Sequence, residues 1–330
     1  MKEIVVPQHT VLWCEDVLSK SGETVADLEP LRVEASHRCF YRVQTGQRSV
    51  VLMDSPPALE RNDLFAAVGQ VFHDHDIPIA QILAAEPETG LFLLSDLGDS
   101  HFESLYGSGQ QDDALQAAID LLPKLGAIDD PAIEPYSSER LYAELDIFNE
   151  WFMGRLLRLE IYTGMFAQTS EILVTALELQ PKCCVHRDYH CRNLLYNDGQ
   201  LGVVDFQDAL RGPVLYDVAS LLRDCYYTFP ESEITRWLDC FIVQTPVLQD
   251  LSRDQVQQWF DWTAAQRQLK AIGIFARMYF RDGKGTHLGY IQPLLHRLQT
   301  LASTYSELRL LDVQLTGCIE AAEPALAKLI

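Results

Sequence analysis

Hydrophobic and polar residues alternate along much of the first third of the chain, with the two-residue period of half-buried β-strands. In the stretch LRVEASHRCFYRVQTGQRSVVLMDSPP this alternation predicts three short strands, and the paired prolines at its end stop the third. A second hairpin is expected in AQILAAEPETGLFLLSDLGD, with its turn ending at Gly90. The predicted strands include Leu31–Glu34, Cys39–Gln44, Arg48–Met53 and Leu91–Leu94.

Apolar residues at helical spacing predict helices, first among these strands and then along the rest of the chain. Residues 10–20 predict one helix, and apolar side chains from Leu64 to Phe72 predict a second, inserted within a sheet of about five strands. Beyond that sheet the chain is almost entirely helical, and its first amphipathic helices are expected over residues 112–128, 138–160 and 168–180. The pattern indicates an α+β fold with a small β-rich N-terminal lobe, residues 1–97, and a large helical C-terminal lobe, residues 98–330.

Composition and charge narrow the class of protein. The 330 residues, 48% of them hydrophobic, are enough for a large core. A net charge of −21 disfavours nucleic acid and anionic membranes as partners, because both would be repelled. No apolar run approaches the ~20 residues that span a bilayer, and the first residues lack the apolar core of a secretory signal, so a cytoplasmic protein is expected. The oligomeric state stays open, with a monomer among the expectations.

The stretch KCCVHRDYHCRNLLY concentrates cysteine, histidine and aspartate, which raises the question of a metal site. Structural zinc sites pair their ligands at short spacings, whereas Cys183 and Cys184 are adjacent and would point to opposite faces of a strand. His186 and His190 would share a face only on a helix, which the β-type residues after Pro181 disfavour. Neither structural zinc nor a cysteine nucleophile is therefore favoured here.

The acids and amides of the same region form a second pattern. Asp188 is followed five residues later by Asn193, and a short apolar strand then leads to Asp205 in VVDFQD. Phosphoryl transfer needs such a set: a carboxylate that accepts the hydroxyl proton, an amide oxygen on Mg²⁺, and a second carboxylate that bridges the metal to the phosphates. We assign these roles to Asp188, Asn193 and Asp205 in that order; the alternative is a loop of mutually satisfied polar groups.

The segment VHRDYHCRNLLYNDGQLGVVDFQDALRGPVLYDVASLLRD closely resembles the catalytic segment of the aminoglycoside phosphotransferase and choline kinase-like family. The resemblance covers essentially the whole chain and implies a protein-kinase-like bilobal fold, a kinase activity, and ATP and Mg²⁺ as cofactors. The segments VVLMDSPP and ASHRCFYRV look most like bacterial kinases that phosphorylate the C1 hydroxyl of N-acetylmuramate and N-acetylglucosamine in peptidoglycan recycling. A small amino sugar is accordingly the expected substrate.

Carried over by position, the resemblance supports the three assigned roles and adds two supporting residues. The resemblance implies that Asp188 is the catalytic base and that Asn193 and Asp205 are the metal ligands. His186 is expected to support the loop. Asp217 in LYDVASLL resembles the helix aspartate that binds the backbone of the catalytic loop from below.

The N-terminal lobe departs from the kinase pattern in two places. Its first turn, ASHR, has no glycine, so Ser36 and the nearby backbone amides are the candidates for phosphate contact, unless this is an ordinary hairpin turn. Met53 stands near the position of the strand lysine that pairs with the phosphates, and Arg38 or Arg42 would have to supply that charge. The expected nucleotide contacts are Ser36, Arg38 and Arg42 and, for adenine on the segment that joins the lobes, Ser95 and Leu97.

Several polar residues are candidates for binding the acceptor, since a sugar is recognised by directional hydrogen bonds. Asp208 and Arg211 follow the metal aspartate and are expected beside the transferred phosphate, and Arg223 comes further along. Glu150 and Trp151 lie on a predicted helix that would wall the sugar pocket. Core packing of the aromatic residues on that helix is the favoured alternative.

Two other functions fit the same residues. A kinase of this fold could act on another small hydroxyl acceptor, such as an aminoglycoside or a choline-like alcohol, and a cationic acceptor would suit the net charge of −21. The replacement of the strand lysine by Met53 leaves open a nucleotide-binding pseudokinase that regulates without turnover.

Overall fold

The computed structural model of this chain describes residues 6–31, 37–159 and 163–329. The chain forms two compact units, each assembled from more than one segment. The first unit comprises residues 1–115, 130–133 and 192–209, and the second comprises residues 116–129, 134–191 and 210–330. The division into lobes at residue 97 stays a prediction.

Strands dominate the first part of the chain and helices the remainder, as the hydrophobic pattern predicts. In chain order the main described elements are α1 (Gln8–Lys20), β1 (Val25–Pro30), β2 (Cys39–Thr45), β3 (Ser49–Asp54), α2 (Asn62–Asp74), β4 (Ile82–Glu86), β5 (Leu91–Ser95), α3 (Phe102–Leu105), α4 (Gln111–Gly126), α5 (Ser138–Ile147), a π-helix (Phe148–Leu156), α6 (Thr163–Leu179), β6 (Lys182–Val185), β7 (Leu194–Asn197), β8 (Gln200–Val203), β9 (Leu210–Pro213), α7 (Tyr216–Leu222), α8 (Glu231–Gln244), α9 (Pro246–Gln249), α10 (Arg253–Asp282), α11 (Ile291–Ser303) and α12 (Arg309–Leu326). Within the described part of the chain, no helix combines the length and apolar character needed to cross a membrane.

The first unit is built on an antiparallel sheet of five strands in the order β1-β2-β3-β5-β4. The predicted second and third strands, the second hairpin and both helices of this region are confirmed. The predicted first strand, Leu31–Glu34, falls largely outside the described residues, and the edge strand is Val25–Pro30 instead. This strand does not alternate apolar and polar residues, so the two-residue period could not reveal it.

Successive side chains of the central strands pack on opposite faces of this sheet. On one face, Phe92 of β5 meets Phe65 of α2 with 5.2 Å between ring centroids, and Phe65 in turn stacks on Phe206 at 5.0 Å. Because Phe206 follows Asp205 directly, this packing fixes the backbone that carries the predicted metal ligand. The buried cluster on the other face comprises Cys14, Leu18, Tyr41, Val43, Val50, Leu52 and Leu93. Each fully buried apolar side chain contributes about 1.5–3 kcal/mol of transfer free energy.

The second unit is organised around α10, a 30-residue helix that is buried along most of its middle. A Cβ at Gly273 of this helix would lie 2.5 Å from the backbone nitrogen of Phe148 and 2.7 Å from the carbonyl oxygen of Ile147. At this contact α5 ends and the π-helix begins. The single helix predicted over residues 138–160 is therefore wrong. The segment consists of an α-helix that ends at Ile147 and a π-helix that ends at Leu156. The change to the wider π turn coincides with this close approach of α10, a long-range contact that the apolar period of the local sequence does not report.

The predicted strand before the catalytic loop is confirmed as β6, which pairs antiparallel with β9. Its partner was not expected, because the sequence GPVLYDVASLLRDCYY predicts one helix from Gly212 onward. Gly212 and Pro213 instead end β9, and the helix begins only at Tyr216 and ends at Leu222. The short strand predicted in GQLGVVDFQDA is confirmed as β8.

Candidate active site

A buried carboxylate anchors the start of the loop that follows β6. Asp217 on α7 accepts hydrogen bonds from the backbone nitrogens of His186 at 2.6 Å and Arg187 at 2.9 Å, as the resemblance implied. Burial raises the pKa of Asp217 to about 7, although both N–H groups act in the opposite direction. Arg187 has a φ of 77°, which is costly for a residue with a side chain, so these bonds stabilise an otherwise unfavourable loop conformation.

A second carboxylate anchors the end of the same loop. Asp224, just beyond α7, is fully buried and accepts a hydrogen bond from the backbone nitrogen of Cys191 at 2.9 Å. Arg297 of α11 donates to the carbonyl oxygens of Asp224 at 2.9 Å, Tyr227 at 2.8 Å and Cys225 at 3.1 Å. Sequence reasoning missed both Asp224 and Arg297, because no local spacing relates Arg297 to the loop.

Asp188 lies between these two anchors, with 34% of its side chain exposed. Its Oδ1 is 3.8 Å from Nη2 of Arg267 on α10, and the same nitrogen donates to the carbonyl oxygen of Arg187 at 3.1 Å. Burial acts to raise the pKa of Asp188, but neighbouring positive charges outweigh it and hold the pKa below its ordinary value. Those charges belong to Lys270, His190, Arg187 and Arg267. Asp188 is therefore ionised at neutral pH and can accept a hydrogen bond from a hydroxyl group.

Glu144 of α5 is the counter-charge for part of this cluster. Its buried carboxylate lies 2.5 Å from the guanidinium of Arg187 and 3.5 Å from the ammonium of Lys270, and the Tyr136 hydroxyl also donates to it. Burial opposes the charge on Glu144, but Lys270 and Arg187 bring its pKa below the ordinary value. Sequence reasoning missed Glu144, Arg267 and Lys270. The available signal was that charged residues stand at positions on a helix where the spacing of the apolar residues predicts burial, as in AAQRQLKAIGIF.

The two predicted metal ligands lie on either side of the β7–β8 hairpin in the first unit. Asn193 precedes β7, Asp205 follows β8, and Nδ2 of Asn193 is 3.5 Å from Oδ2 of Asp205. The backbone nitrogen of Val204 donates to the carbonyl oxygen of Asn193 at 3.0 Å, and Asp205 has a φ of 64°. Once the amide turns its oxygen outward, the pair offers the hard oxygen ligands that Mg²⁺ prefers, so these residues fit that metal.

Arg38 and Arg42, the candidates for the missing lysine's charge, both have carboxylate partners in the first unit. Arg38 is buried, with Nη2 3.3 Å from Glu60. Arg42 donates two hydrogen bonds to Asp96, of 2.8 and 3.1 Å, which places it beside the predicted adenine segment. Ser36 lies outside the described residues. The nucleotide contacts of these residues stay predictions.

The predicted adenine segment is itself fixed by contacts within the first unit. The hydroxyl of Ser95 accepts a hydrogen bond from the backbone nitrogen of Gln81 at 2.8 Å. The carbonyl oxygen of Leu97 accepts one from Nδ2 of Asn197 at 2.7 Å. Gly98 has a φ of 85°, and a Cβ there would lie 2.8 Å from the Asn197 side chain, so this turn requires glycine. The β7–β8 hairpin, which is flanked by the two predicted metal ligands, therefore also supports the predicted adenine segment.

Both of the predicted acceptor-binding arginines form ion pairs with carboxylates of the second unit. Arg211 on β9 forms an ion pair with Asp129. Arg223, which follows α7, lies 2.5 Å from Glu231 and 3.1 Å from Asp261. Each arginine therefore has a protein partner that an anionic ligand would have to displace or share.

The remaining acceptor candidates are exposed. Asp208 is exposed in the first unit, and Glu150 is exposed on the π-helix. Core packing is confirmed for the two buried aromatic residues of that helix, Phe148 and Phe152, whose rings are 5.0 Å apart. Trp151 instead stacks beneath the Arg155 guanidinium at 4.6 Å. The acceptor roles of Asp208, Glu150 and the two arginines stay predictions.

The cysteines near the catalytic loop are free thiols and act as packing residues. On β6, Cys184 is buried and Cys183 only partly so, as expected for neighbours on opposite faces of a strand. Burial raises the pKa of the Cys183 thiol to about 12, so it is not a nucleophile at neutral pH.

A small antiparallel sheet unit, a large helical unit and the spacing of Asp188, Asn193 and Asp205 define a protein-kinase-like α+β phosphotransferase. The chain belongs to the phosphotransferase enzyme family, whose sequence profile matches residues 27–266. It is an enzyme that transfers a phosphoryl group to a hydroxyl acceptor. The predicted family, fold class and enzyme class are therefore confirmed.

Curated relatives resemble this chain along most of its length. The N-acetylmuramate/N-acetylglucosamine kinase of Pseudomonas aeruginosa is 35% identical over 310 residues, which cover 90% of each chain. The Neisseria meningitidis kinase of the same name is 34% identical over 296 residues, 86% of this chain and 87% of its own.

Solved structures with the same fold are more distant in sequence. Choline kinase LicA from Streptococcus pneumoniae has a TM-score of 0.67 at 12% identity and covers 90% of this chain and 100% of its own. The ADP-bound aminoglycoside phosphotransferase APH(2'')-Ib has a TM-score of 0.57 at 13% identity and covers 89% of this chain and 98% of its own. At such low identity these structures establish the fold alone.

Proposed function

We propose that this enzyme is an ATP-dependent kinase that phosphorylates the anomeric C1 hydroxyl of N-acetylmuramate and N-acetylglucosamine. The observation that carries the proposal is its 35% identity, over 90% of both chains, to the N-acetylmuramate/N-acetylglucosamine kinase of Pseudomonas aeruginosa. Similarity along the whole chain supports a shared reaction. Choline kinase and aminoglycoside phosphotransferase share the fold at 12–13% identity, which gives no comparable support for their acceptors.

In this reaction Asp188 accepts a hydrogen bond from the sugar hydroxyl and orients its oxygen toward the γ-phosphorus of ATP. Its lowered pKa makes it a weak base before the reaction, so it takes the proton only as the new bond to phosphorus forms. Orientation is therefore its main contribution to the rate. The anchors Asp217 and Asp224 at the two ends of the loop maintain that orientation.

The nucleotide is assigned to residues of the first unit. Asn193 and Asp205 would hold Mg²⁺, which when bound supplies positive charge against the phosphate oxygens. Ser95 and Leu97 are assigned to adenine, and Arg42 beside them, together with Arg38, to the charge that the absent lysine would have carried. The structure of LicA in complex with AMP, at 11% identity, is consistent with nucleotide binding by this fold.

The substitution Asp188→Asn tests the catalytic assignment. The amide keeps the size of the side chain but cannot accept a proton, so kcat should fall by about 10²–10⁴-fold, the usual contribution of a general base. The thermal unfolding midpoint should change little, because 34% of the Asp188 side chain is exposed and the amide keeps its size. Turnover at the wild-type rate in this variant would remove Asp188 from the mechanism.

An acceptor panel tests the substrate assignment. ADP release is measured with N-acetylmuramate, N-acetylglucosamine, an aminoglycoside and choline, each with and without Mg²⁺, and NMR identifies the carbon that bears the phosphate. We expect Mg²⁺-dependent release with the two amino sugars and a phosphate on C1. Turnover with choline or the aminoglycoside alone would replace the proposed acceptor, and nucleotide binding without turnover on any acceptor would favour a regulator.

A further inference from the structure

The second half of α10 carries one stripe of side chains that solvent reaches. Ala271, Ile274 and Arg277 are partly exposed and Arg281 is exposed, whereas the residues between them are mostly buried. At 3.6 residues per turn, these four positions lie within about 120° of the helix circumference. They therefore form a single face of the helix, which begins with small or apolar side chains and ends with two arginines.

The same face of α10 leads back to the catalytic loop of the second unit. Nη2 of Arg267, one turn before Ala271, is 3.8 Å from Oδ1 of Asp188, and Lys270 is among the positive charges that lower the pKa of Asp188. From Lys270 to Arg277 the helix rises by about 10 Å. A small ligand whose reacting hydroxyl lies at Asp188 can therefore extend along this face toward Arg277.

The π-helix that was predicted to wall the sugar pocket runs beside this half of α10. A Cβ at Gly273 would lie 2.5 Å from the backbone nitrogen of Phe148, so the two helices approach closely there. Two residues further along the π-helix, the exposed Glu150 is close enough to act electrostatically on Arg277. Arg277 thus lies beside a residue already predicted to bind the acceptor, and both belong to the second unit.

Arg277 lacks the carboxylate partner that the two predicted acceptor-binding arginines have. Arg211 and Arg223 both form ion pairs within the second unit. Among the residues that the structure describes, none forms an ion pair or a side-chain hydrogen bond with Arg277, although its Nε is buried. Its donors are therefore available to an anion that comes from outside the protein.

The electrostatic surroundings of Arg277 also favour such an anion. Burial and the like charge of Arg281 lower the pKa of Arg277, while Asp282 and Glu150 act in the opposite direction. The ordinary pKa of a guanidinium is so high that Arg277 stays charged at neutral pH. A half-buried charge without a close partner is costly, and a bound carboxylate would reduce that cost.

We propose that Arg277 is a specificity-determining residue that binds the lactyl carboxylate of N-acetylmuramate while Asp188 engages the C1 hydroxyl of the same sugar. This inference rests on the proposed function of the enzyme. N-acetylmuramate is N-acetylglucosamine with a lactic acid joined through an ether at C3, so the carboxylate distinguishes the two sugars. A guanidinium binds a carboxylate through two parallel hydrogen bonds. Between the two ends, Ala271 and Ile274 offer a low apolar surface for the sugar ring.

The substitution Arg277→Met tests this assignment by comparing the two sugars. The KM for N-acetylmuramate should rise about 10- to 100-fold, the range expected for loss of hydrogen bonds to a charged group. The KM for N-acetylglucosamine, and kcat on both sugars, should stay within about twofold of wild type, because Arg277 contacts neither the hydroxyl nor the phosphate. The thermal unfolding midpoint should stay the same or rise, because the substitution removes a half-buried charge that has no close partner.

Two further variants are controls. Arg277→Lys keeps the positive charge but loses the paired donors, so its KM for N-acetylmuramate should lie between those of wild type and Arg277→Met. Arg253→Met removes an arginine from a partly exposed ion pair with Asp239 at the start of the same helix, and it should leave the kinetics with both sugars unchanged. If Arg277→Met does not fold, Arg277→Gln replaces it in the same comparison.

The outcomes separate the role of Arg277 from the proposed function. An unchanged KM for N-acetylmuramate, or an equal rise for both sugars, would overturn the role of Arg277 and leave the proposed function in place. A lower thermal midpoint together with a loss of kcat on both sugars would show that Arg277 supports the fold instead. A wild-type enzyme that phosphorylates neither sugar would reject the proposed function, and the role of Arg277 with it.

Discussion

Three aspartates of the catalytic region show how burial and neighbours give one residue type different functions. Asp217 and Asp224 are buried and bind backbone amides, so they fix the loop. Asp188 is partly exposed and surrounded by positive charge, so it is ionised and accessible. The spacing of Asp188, Asn193 and Asp205 was visible in the sequence because it is local. The role of Glu144 was not visible in the sequence, because this residue is 43 residues away from its partner Arg187.

At the residue scale, the substitution Asp217→Asn should differ from Asp188→Asn, because it should lower the stability of the protein as well as its activity. The amide can accept only through its oxygen, and its NH₂ group would face one of the two backbone N–H donors. An unsatisfied buried donor costs about 1–3 kcal/mol, so both the thermal midpoint and kcat should fall. Differential scanning calorimetry and steady-state kinetics measure the two effects.

The control for this substitution is Asp198→Asn. Asp198 is exposed in the turn between β7 and β8 and has a φ of 49°, a conformation that asparagine adopts readily. It should leave both the midpoint and kcat near wild type. Wild-type stability in Asp217→Asn would contradict the anchoring role.

At the element scale, the apolar period predicts which segments are helices better than it predicts how they pack. The period of apolar residues correctly predicted α1, α2 and the strands β2 and β3, because each of these elements buries one face. It missed the change from α to π pitch at Phe148, which coincides with the close approach of Gly273 from α10. It also missed β9, whose Gly212 and Pro213 resemble a helix start when the partner β6 is unknown. Such contacts join segments distant in sequence.

The substitution Gly273→Ala should therefore destabilise the second unit. A Cβ at this position would lie 2.5 Å from a backbone nitrogen that cannot move without shifting the helix to which it belongs. Overpacking of this kind typically costs about 1–3 kcal/mol, which urea unfolding can measure.

Gly317→Ala is the matched control, because a Cβ at Gly317 of α12 would meet nothing within 4 Å. There the gain in helix propensity should stabilise the protein by about 0.5–1 kcal/mol. Equal effects of the two substitutions would mean that the contact between α10 and the π-helix tolerates a methyl group.

At the scale of the whole molecule, the net charge of −21 is the dominant electrostatic property. Charges of one sign repel each other more strongly in the compact state than in the unfolded chain, and salt screens this repulsion over about 8–10 Å at physiological ionic strength. The charge neither determines the fold nor identifies the substrate. Its effect is on stability and on association with other charged molecules.

The thermal unfolding midpoint at pH 7 should accordingly rise by a few degrees as NaCl is increased from low to physiological ionic strength. Sucrose at equal osmolarity is the control, because it leaves charge repulsion unscreened. A midpoint that falls with salt would indicate that local ion pairs such as Arg187–Glu144 contribute more than the overall repulsion.

The eight free cysteines have a practical consequence for spectroscopy. All eight lie within the described residues, and burial raises the pKa of several thiols, to about 11 for Cys14 and about 12 for Cys225 and Cys318. Protonated, enclosed thiols react slowly with maleimides. Cys39 is exposed at the start of β2, three residues before Arg42. A fluorophore added to the unmodified protein would therefore attach first to this strand and report on the proposed nucleotide-binding unit without any engineered label.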